Sequence, residues 1–351
     1  MLNIYLLIAV VAGALAFSVV RATKCPLAAL PGPWYSRFTR LVLKYHILAG
    51  REMYYLHAVH QRYGPVVRIS PTEAAVANLV AFAQIGRIVG GAFLKGPWYN
   101  SVNPGIFAMP DPPRHGERRR LFARASSKTA LRANWEREVR RTVEKTVGRI
   151  QAEAQNGGGA DVLKWWTLMA TDVIAHLSFG ESFDMVGLGR KTAYVKAIQS
   201  SLMSSGLRRK LPWLHAVARH IPVQAVQEVV HCDKIIAENA VKAVRNLRQS
   251  GGAQNLFSQM VAAYFDGTRF TQPLSPKQKL AFSPFGMELR VCLGIHLARM
   301  ELRLATALFF RECRGARLGL GLDTTDAVME MEHHFLIAPK GHFCNVVLLS
   351  P

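Results

Sequence analysis

The sequence has no CxxC pair, and its five cysteines, Cys25, Cys232, Cys292, Cys313 and Cys344, are odd in number and irregularly spaced. That removes the usual zinc and dithiol redox motifs and leaves no framework for disulfides. Acidic residues are few: 23 Asp and Glu stand against 44 Lys and Arg, a net charge of +21. Charged residues make up only 19% and hydrophobic residues 50%, which is not the composition of a disordered protein. A chain of 351 residues is long enough for one large core or two domains. There is no internal repeat and no nucleic-acid-binding motif. The positive excess therefore points to an anionic lipid surface or an acidic protein partner ahead of nucleic acid.

Charge is absent altogether from Leu2 to Val20, a run long enough as a helix to cross a hydrocarbon layer of roughly 30 Å. A cleaved signal peptide has a basic n-region and an h-region of about 7–15 residues; this run is longer and nothing basic precedes it. The segment 1–21 is therefore read as an uncleaved transmembrane anchor. Arg21, Lys24, Arg37, Arg40 and Lys44 follow it, which by the positive-inside rule keeps the rest of the chain in the cytosol. Pro31 and Pro33 flank Gly32 and stop any helix leaving the membrane, so 22–36 reads as a stiff neck before a folded body over 37–351.

Within that body the signals are mainly helical. Leu41 to Gln61 is helix-like, Val66, Val67 and Ile69 between Gly64 and Pro71 form a short strand, and Pro71 to Ala83 opens another helix. Residues 96–113, rich in Gly, Pro and Asn, are loop. Trp135, Val139, Val143, Val147 and Ile150 recur at helical spacing up to a stop at Gly157 to Gly159, and 160–179 follows as a largely buried helix. Helices continue between Tyr194 and Leu247. A last helix runs from Cys292 to Arg311 with Leu297, Met300, Leu304 and Leu308 on one face, and apolar runs beyond Cys313 predict small strands.

The stretch FSPFGMELRVCLG, 282–294, carries the chemistry. A thiolate serves as metal ligand or nucleophile only where its charge is compensated by a cation or a helix N-terminus. Cys292 has Arg290 two residues before it and a predicted helix at or just after it. Gly286 and Gly294 permit tight turns, and Phe285 offers an aromatic wall. Three roles stay open from these residues alone: a small buried hydrophobe at a helix start, a nucleophile with His296 one turn on, or a metal ligand.

The same stretch resembles the haem-binding loop of cytochrome P450 enzymes, F-x-x-G-x-R-x-C-x-G, with Phe285, Arg290, Cys292 and Gly294 on the pattern. The anchor, the proline-rich neck, YGPVVRISP, HGERRRLFARA and MATDVIAHLSFGESFDM extend the likeness over nearly the whole chain. The resemblance implies a mainly α fold with small β-sheets behind a transmembrane helix. It implies haem b with Cys292 as axial thiolate and Arg290 at a haem propionate. His115 and Arg119, four residues apart, fall at the family's second propionate-binding pair; their plain alternative is a solvated basic turn with Arg118 and Arg120. The implied activity is insertion of one oxygen atom from O₂ into an apolar small molecule, in fungal secondary metabolism. Electrons would come from NADPH-cytochrome P450 reductase at the endoplasmic reticulum membrane.

The pattern is incomplete. Glu288 stands where the family has glycine. The oxygen-activation motif A-G-x-D/E-T-T and the E-x-x-R pair are absent between Asn255 and Ala281. Gly321 to Thr325 and Glu138 to Arg141 imitate them at the wrong chain positions, the first as a turn and the second as an exposed charge pair. The expectation is an internal deletion at about 280/281, leaving a partial P450-like fold that lacks the acid and alcohol for proton delivery; the alternative to an active enzyme is an inactive membrane-tethered remnant.

Overall fold

The computed structural model describes residues 12–13, 16, 19–20, 22–86, 93–96, 99, 105–193, 195–197, 216–223, 226–227, 285, 290–319, 324–333 and 337–348. The chain divides into two compact units, one built from Met1–Gly91, Ser275–Phe282 and Glu330–Lys340 and the other from Ala92–Leu274, Ser283–Met329 and Gly341–Pro351.

In the first unit a 3-10 turn (Trp34–Arg37) leads into α1 (Leu41–Leu48) and α2 (Glu52–Tyr63). The single helix expected over 41–61 is broken because Gly50 takes φ 70°, a left-handed conformation that ends one helix and redirects the chain into the next. Strands β1 (Val66–Ser70) and β2 (Glu73–Val76) form an antiparallel hairpin, with Val66 opposite Val76. Pro71 therefore sits in a hairpin turn and not at the head of a helix. The next helix, α3 (Leu79–Gly86), starts later, where the Asn78 side chain accepts the N–H groups of Val80 and Ala81 at 3.0 Å each. Leu43, Tyr55, Val59 and Val67 form this unit's core. The neck is fastened to the hairpin by the Arg68 N–H, which donates to the Pro31 carbonyl at 2.8 Å. A short hairpin of β5 (Met331–His333) and β6 (Ile337–Pro339) completes the unit.

The second unit is helical around a long spine. Helix α4 covers Pro112–Ala123, with proline in its first turn, and α5 covers Lys128–Gly157. Ser127 caps α5 by accepting the Ala130 N–H, and Gly158, at φ 71°, closes it. Residues Ala160–Asp161 form β3, and Asp161 then caps α6 (Val162–Phe179) through the Lys164 N–H. Asp172, buried in α6, accepts the N–H groups of Met185 and Val186 at 3.0 and 2.9 Å and so seats the short helix α7 (Met185–Leu188). Helix α8 spans Ile295–Glu312, followed by β4 (Ala316–Leu318), α9 (Asp326–Met329) and β7 (Asn345–Leu348). Strand β7 lies between β3 and β4, antiparallel to both.

The core follows the sequence pattern. Trp135, Val139, Val143, Val147 and Ile150 of α5 are buried against Trp165, Leu168, Met169 and Val173 of α6 and Leu297, Ala305 and Leu308 of α8, with Met300 and Leu304 packed at its edge. The unit is thus mainly helical with small sheets, as expected. Glu138 differs from its reading as an exposed pair with its own helix: it lies 3.6 Å from Nδ1 of His176 on α6. Thr324 of the 321–325 imitation is buried, and its Oγ1 accepts the Asn345 N–H at 3.1 Å, a turn role.

Most of Leu2–Val20, most of the stretch between Tyr194 and Leu247 where helices are expected, Glu288 and the junction at 280/281 lie outside the described residues; 195–197, 216–218 and 226–227 are helical. Among the described residues no helix is long and apolar enough to cross a membrane.

Candidate functional site

Cys292 is exposed and stands three residues ahead of the first residue of α8, whose N-cap is Gly294. The helix was expected to begin at or just after the cysteine; it begins at Ile295, leaving the sulfur in the turn before the helix. That turn is tied by the Cys292 N–H, which donates to the Phe285 carbonyl at 2.6 Å. A Cβ placed on Gly294 would sit 3.8 Å from Sγ, so the sulfur lies beside the positive end of an 18-residue helix.

Basic groups of α4 and of the cysteine's own loop lie in this neighbourhood. On α4, His115 and Arg119 share a face because they are one turn apart. His115 is 5% exposed, whereas Arg118 and Arg120 are exposed and Arg119 is partly covered. The helical period thus separates one inward arginine from two solvated ones. Arg119 is held below its usual value by burial, an effect that the nearby Cys292 opposes. Arg290 directs Nη1 to the Met109 carbonyl at 3.0 Å and Nη2 to the Pro110 carbonyl at 3.1 Å. Its fork binds the backbone just ahead of α4 and locks the cysteine loop to that helix. The His115 imidazole is driven below its usual value by burial, and then by Arg290, Arg119 and Lys95 in that order.

Lys95 was not found from the sequence, where it is one lysine at the edge of a glycine- and proline-rich loop with no periodic or motif context. Phe285 carries the guanidinium of Arg299 over its ring, 5.9 Å from the centroid. His296 is pushed down by burial, then by Arg299 and Lys128, and among the described residues no carboxylate is paired with it to orient it as a base for Cys292.

Lys95, His115, Arg119 and Arg290 therefore share one electrostatic neighbourhood, Arg119 within reach of the exposed thiol, and among the described residues no ion pair joins any of them to a carboxylate. This donor set fits a flat ligand that brings a metal to the sulfur and carboxylates to the cations.

The comparisons with known proteins agree. The family model for cytochrome P450 matches residues 31–263 and 256–316. The chain belongs to the cytochrome P450 family. Its cofactor is accordingly haem held through a cysteine thiolate, and its class is that of monooxygenases served by a redox partner and acting on small molecules. Among similar curated proteins is the cytochrome P450 monooxygenase stcB of Emericella nidulans, 28% identical over 92% of this chain and 89% of the relative. Another is the cytochrome P450 monooxygenase tazI of Aspergillus terreus, 28% identical over 93% and 95%. The heme domain of cytochrome P450DA has the same fold, with a TM-score of 0.70 at 12% identity, covering 92% of this chain and 98% of that structure. The alignment with stcB runs over 463 positions, 112 more than the 351 residues of this chain. At least that many positions of the relative face a gap here.

Proposed function

We propose that this P450 holds haem through Cys292, with His115, Arg119 and Arg290 at the propionates, Phe285 forming one side of the cysteine loop and Gly294 leaving room beside the sulfur. The observation that carries the assignment is the gathering of cations from α4 and the cysteine loop, without an acidic partner among the described residues, around an exposed thiol. When bound, haem supplies the oxygen chemistry by which one atom of O₂ enters an apolar small molecule. The chain's own part is to supply a thiolate beside the α8 N-terminus, to neutralise two carboxylates with fixed cations, and to hold loop and helix in register through Arg290.

The partner is NADPH-cytochrome P450 reductase, whose acidic face would meet the exposed Arg118, Arg120 and Arg299. The substrate is an apolar small molecule of fungal secondary metabolism, a role supported by the likeness to fungal monooxygenases. The site is the endoplasmic reticulum membrane with the body in the cytosol. Two features support this: the uncharged run Leu2–Val20, and a stripe of exposed apolar residues following it. Trp34, Phe38, Leu41, Tyr45 and Leu48 are 75, 46, 70, 68 and 56% exposed, although Leu43 on the opposite side of α1 is buried. Arg37, Arg40 and Lys44 flank them, the mixture of aromatic, aliphatic and basic groups suited to an anionic leaflet.

A second reading, a haem-binding remnant without turnover, is favoured by the gap of at least 112 positions and by the missing oxygen-helix motif. One experiment separates the readings. The full chain is reconstituted with hemin in nanodiscs, and its reduced carbon monoxide spectrum and reductase-driven, substrate-dependent oxygen insertion are measured. A thiolate-type carbon monoxide band with product supports the enzyme, and the band without product supports the remnant. Absence of the band in the wild type, or its persistence in Cys292→Ser, refutes the Cys292 assignment.

A further inference from the structure

Arg68 lies on β1 in the first unit, and it is only 1% exposed. Strand alternation sends Val67 into that unit's core with Leu43, Tyr55 and Val59 and turns Arg68 to the opposite face of the hairpin, beside the neck. The neck is pinned to this strand at two places. The Cys25 thiol donates to the Pro71 carbonyl at 3.3 Å, and the Pro31 carbonyl accepts the Arg68 N–H at 2.8 Å. The 3-10 turn that follows the neck also packs on β1. Across the strand pair, Ala74 stands opposite Arg68 and is exposed. The approach to Arg68 over β2 is therefore lined by a single methyl group.

Nε and Nη2 of this buried side chain have no hydrogen-bond partner among the described residues. Both nitrogens belong to one edge of the guanidinium, where two N–H bonds run parallel at the spacing of two oxygens of a carboxylate or phosphate. No ion pair among the described residues includes Arg68. Glu73, the carboxylate of the facing strand, is already engaged: Ser70 donates to its Oε2 at 2.9 Å, and Arg40 pairs with its Oε1. Burial, and after it the charge of Arg37, holds the Arg68 guanidinium below its usual value. A buried cation with its fork unmet is strongly unfavourable unless an oxyanion completes it. Two cations, the enclosed Arg68 and the exposed Arg37 of the 3-10 turn, suit a phosphate, which carries more charge than a carboxylate.

We propose that Arg68 binds a phosphate group where the neck meets the β1–β2 hairpin. The site depends on neither the haem reading nor the membrane reading. Only the source of the phosphate does: a neck leaving a membrane brings the fork to a lipid headgroup, and a chain held elsewhere takes phosphate from solution. The test uses the full chain in micelles of an uncharged maltoside detergent, which contains no phosphate. Thermal unfolding is followed by circular dichroism while phosphatidic acid is added to the micelles or inorganic phosphate to the buffer, with chloride holding the ionic strength constant. Saturable stabilisation of the wild type is expected. A response to phosphatidic acid alone assigns the site to a headgroup, and a response to inorganic phosphate assigns it to phosphate of either origin. Arg68→Lys keeps the charge and loses the fork, so half-saturation should need about tenfold more probe. Equal half-saturation in the two proteins overturns the proposal, since surface charge would then explain the response. A wild type with no saturable response to either probe also overturns it, as does an equal response to acetate, which would assign the fork to a carboxylate. Should Arg68→Lys not fold, Ala74→Glu decides the matter. A carboxylate across the strand pair should meet the fork, raise the melting temperature without probe and abolish the phosphate response; an Ala74→Glu protein that melts and responds as the wild type does refutes the site.

Discussion

The guanidinium of Arg290 donates to the carbonyl of Met109 at 3.0 Å, joining the cysteine loop to the entry of α4 across 181 positions of the chain. With the bond to Pro110 it fixes the loop by a planar fork that only arginine offers. Arg290→Lys keeps the charge but cannot span both carbonyls, and Arg290→Ala leaves both unpaired. Each hydrogen bond to a charged group contributes about 1.5–3 kcal/mol. Thermal unfolding followed by circular dichroism should rank wild type above Arg290→Lys above Arg290→Ala. Equal melting temperatures for the three proteins would show that the fork does not hold the loop.

The α5 face against α6 and α8 gives a separate test of packing. Ile150 is fully buried in the core shared by these helices. Ile150→Ala removes packed methyl groups and leaves a cavity, a loss of about 2–5 kcal/mol. Urea unfolding is expected to show a midpoint lowered accordingly, with a small change for the exposed neighbour Arg149→Ala. A fall below about 1 kcal/mol for Ile150→Ala would mean that the three-helix core is not close-packed there.

How much of this was legible depended on the kind of signal. Helix α5 was readable because five apolar residues recur at one period, and each proved buried. The hairpin at Pro71 was misread because proline suits both a helix start and a turn, and only the pairing of Val66 with Val76 decides between them. Cys292 and Arg290 were visible through spacing in a short motif. Their partners were not: the acceptors of Arg290 are backbone carbonyls, which no sequence pattern distinguishes, and Lys95 joins the site only through a loop whose course is set by tertiary contacts.

Gly32 shows the same dependence on a long-range contact. A Cβ at this position would lie 2.4 Å from the Arg68 carbonyl oxygen, the strand that also binds Pro31. Because the obstacle is backbone, it cannot rotate away, and Gly32→Ala must push the neck from the hairpin. Hydrogen exchange of the Arg68 amide should accelerate markedly in Gly32→Ala, while the amides of α5 stay as protected as in the wild type. Unchanged protection at Arg68 would show that the neck accommodates the methyl group.

Glu301 on α8 supplies a pH test. Its Oε1 is enclosed without a hydrogen-bond partner among the described residues, and burial raises its pKa to about 7. In the unfolded chain the carboxyl titrates near its ordinary value of 4.5. Because the folded value is raised, the folded state binds the extra proton: the contribution is fully present below about 4.5 and is lost as pH rises through about 7. The shift corresponds to about 3 kcal/mol at most. Urea unfolding between pH 4.5 and 8 should show the wild type losing stability relative to Glu301→Gln as pH rises, and the difference should level off above the folded pKa. If the two proteins keep a constant difference over that range, Glu301 is solvated or paired, and the enclosed site on α8 does not exist in solution.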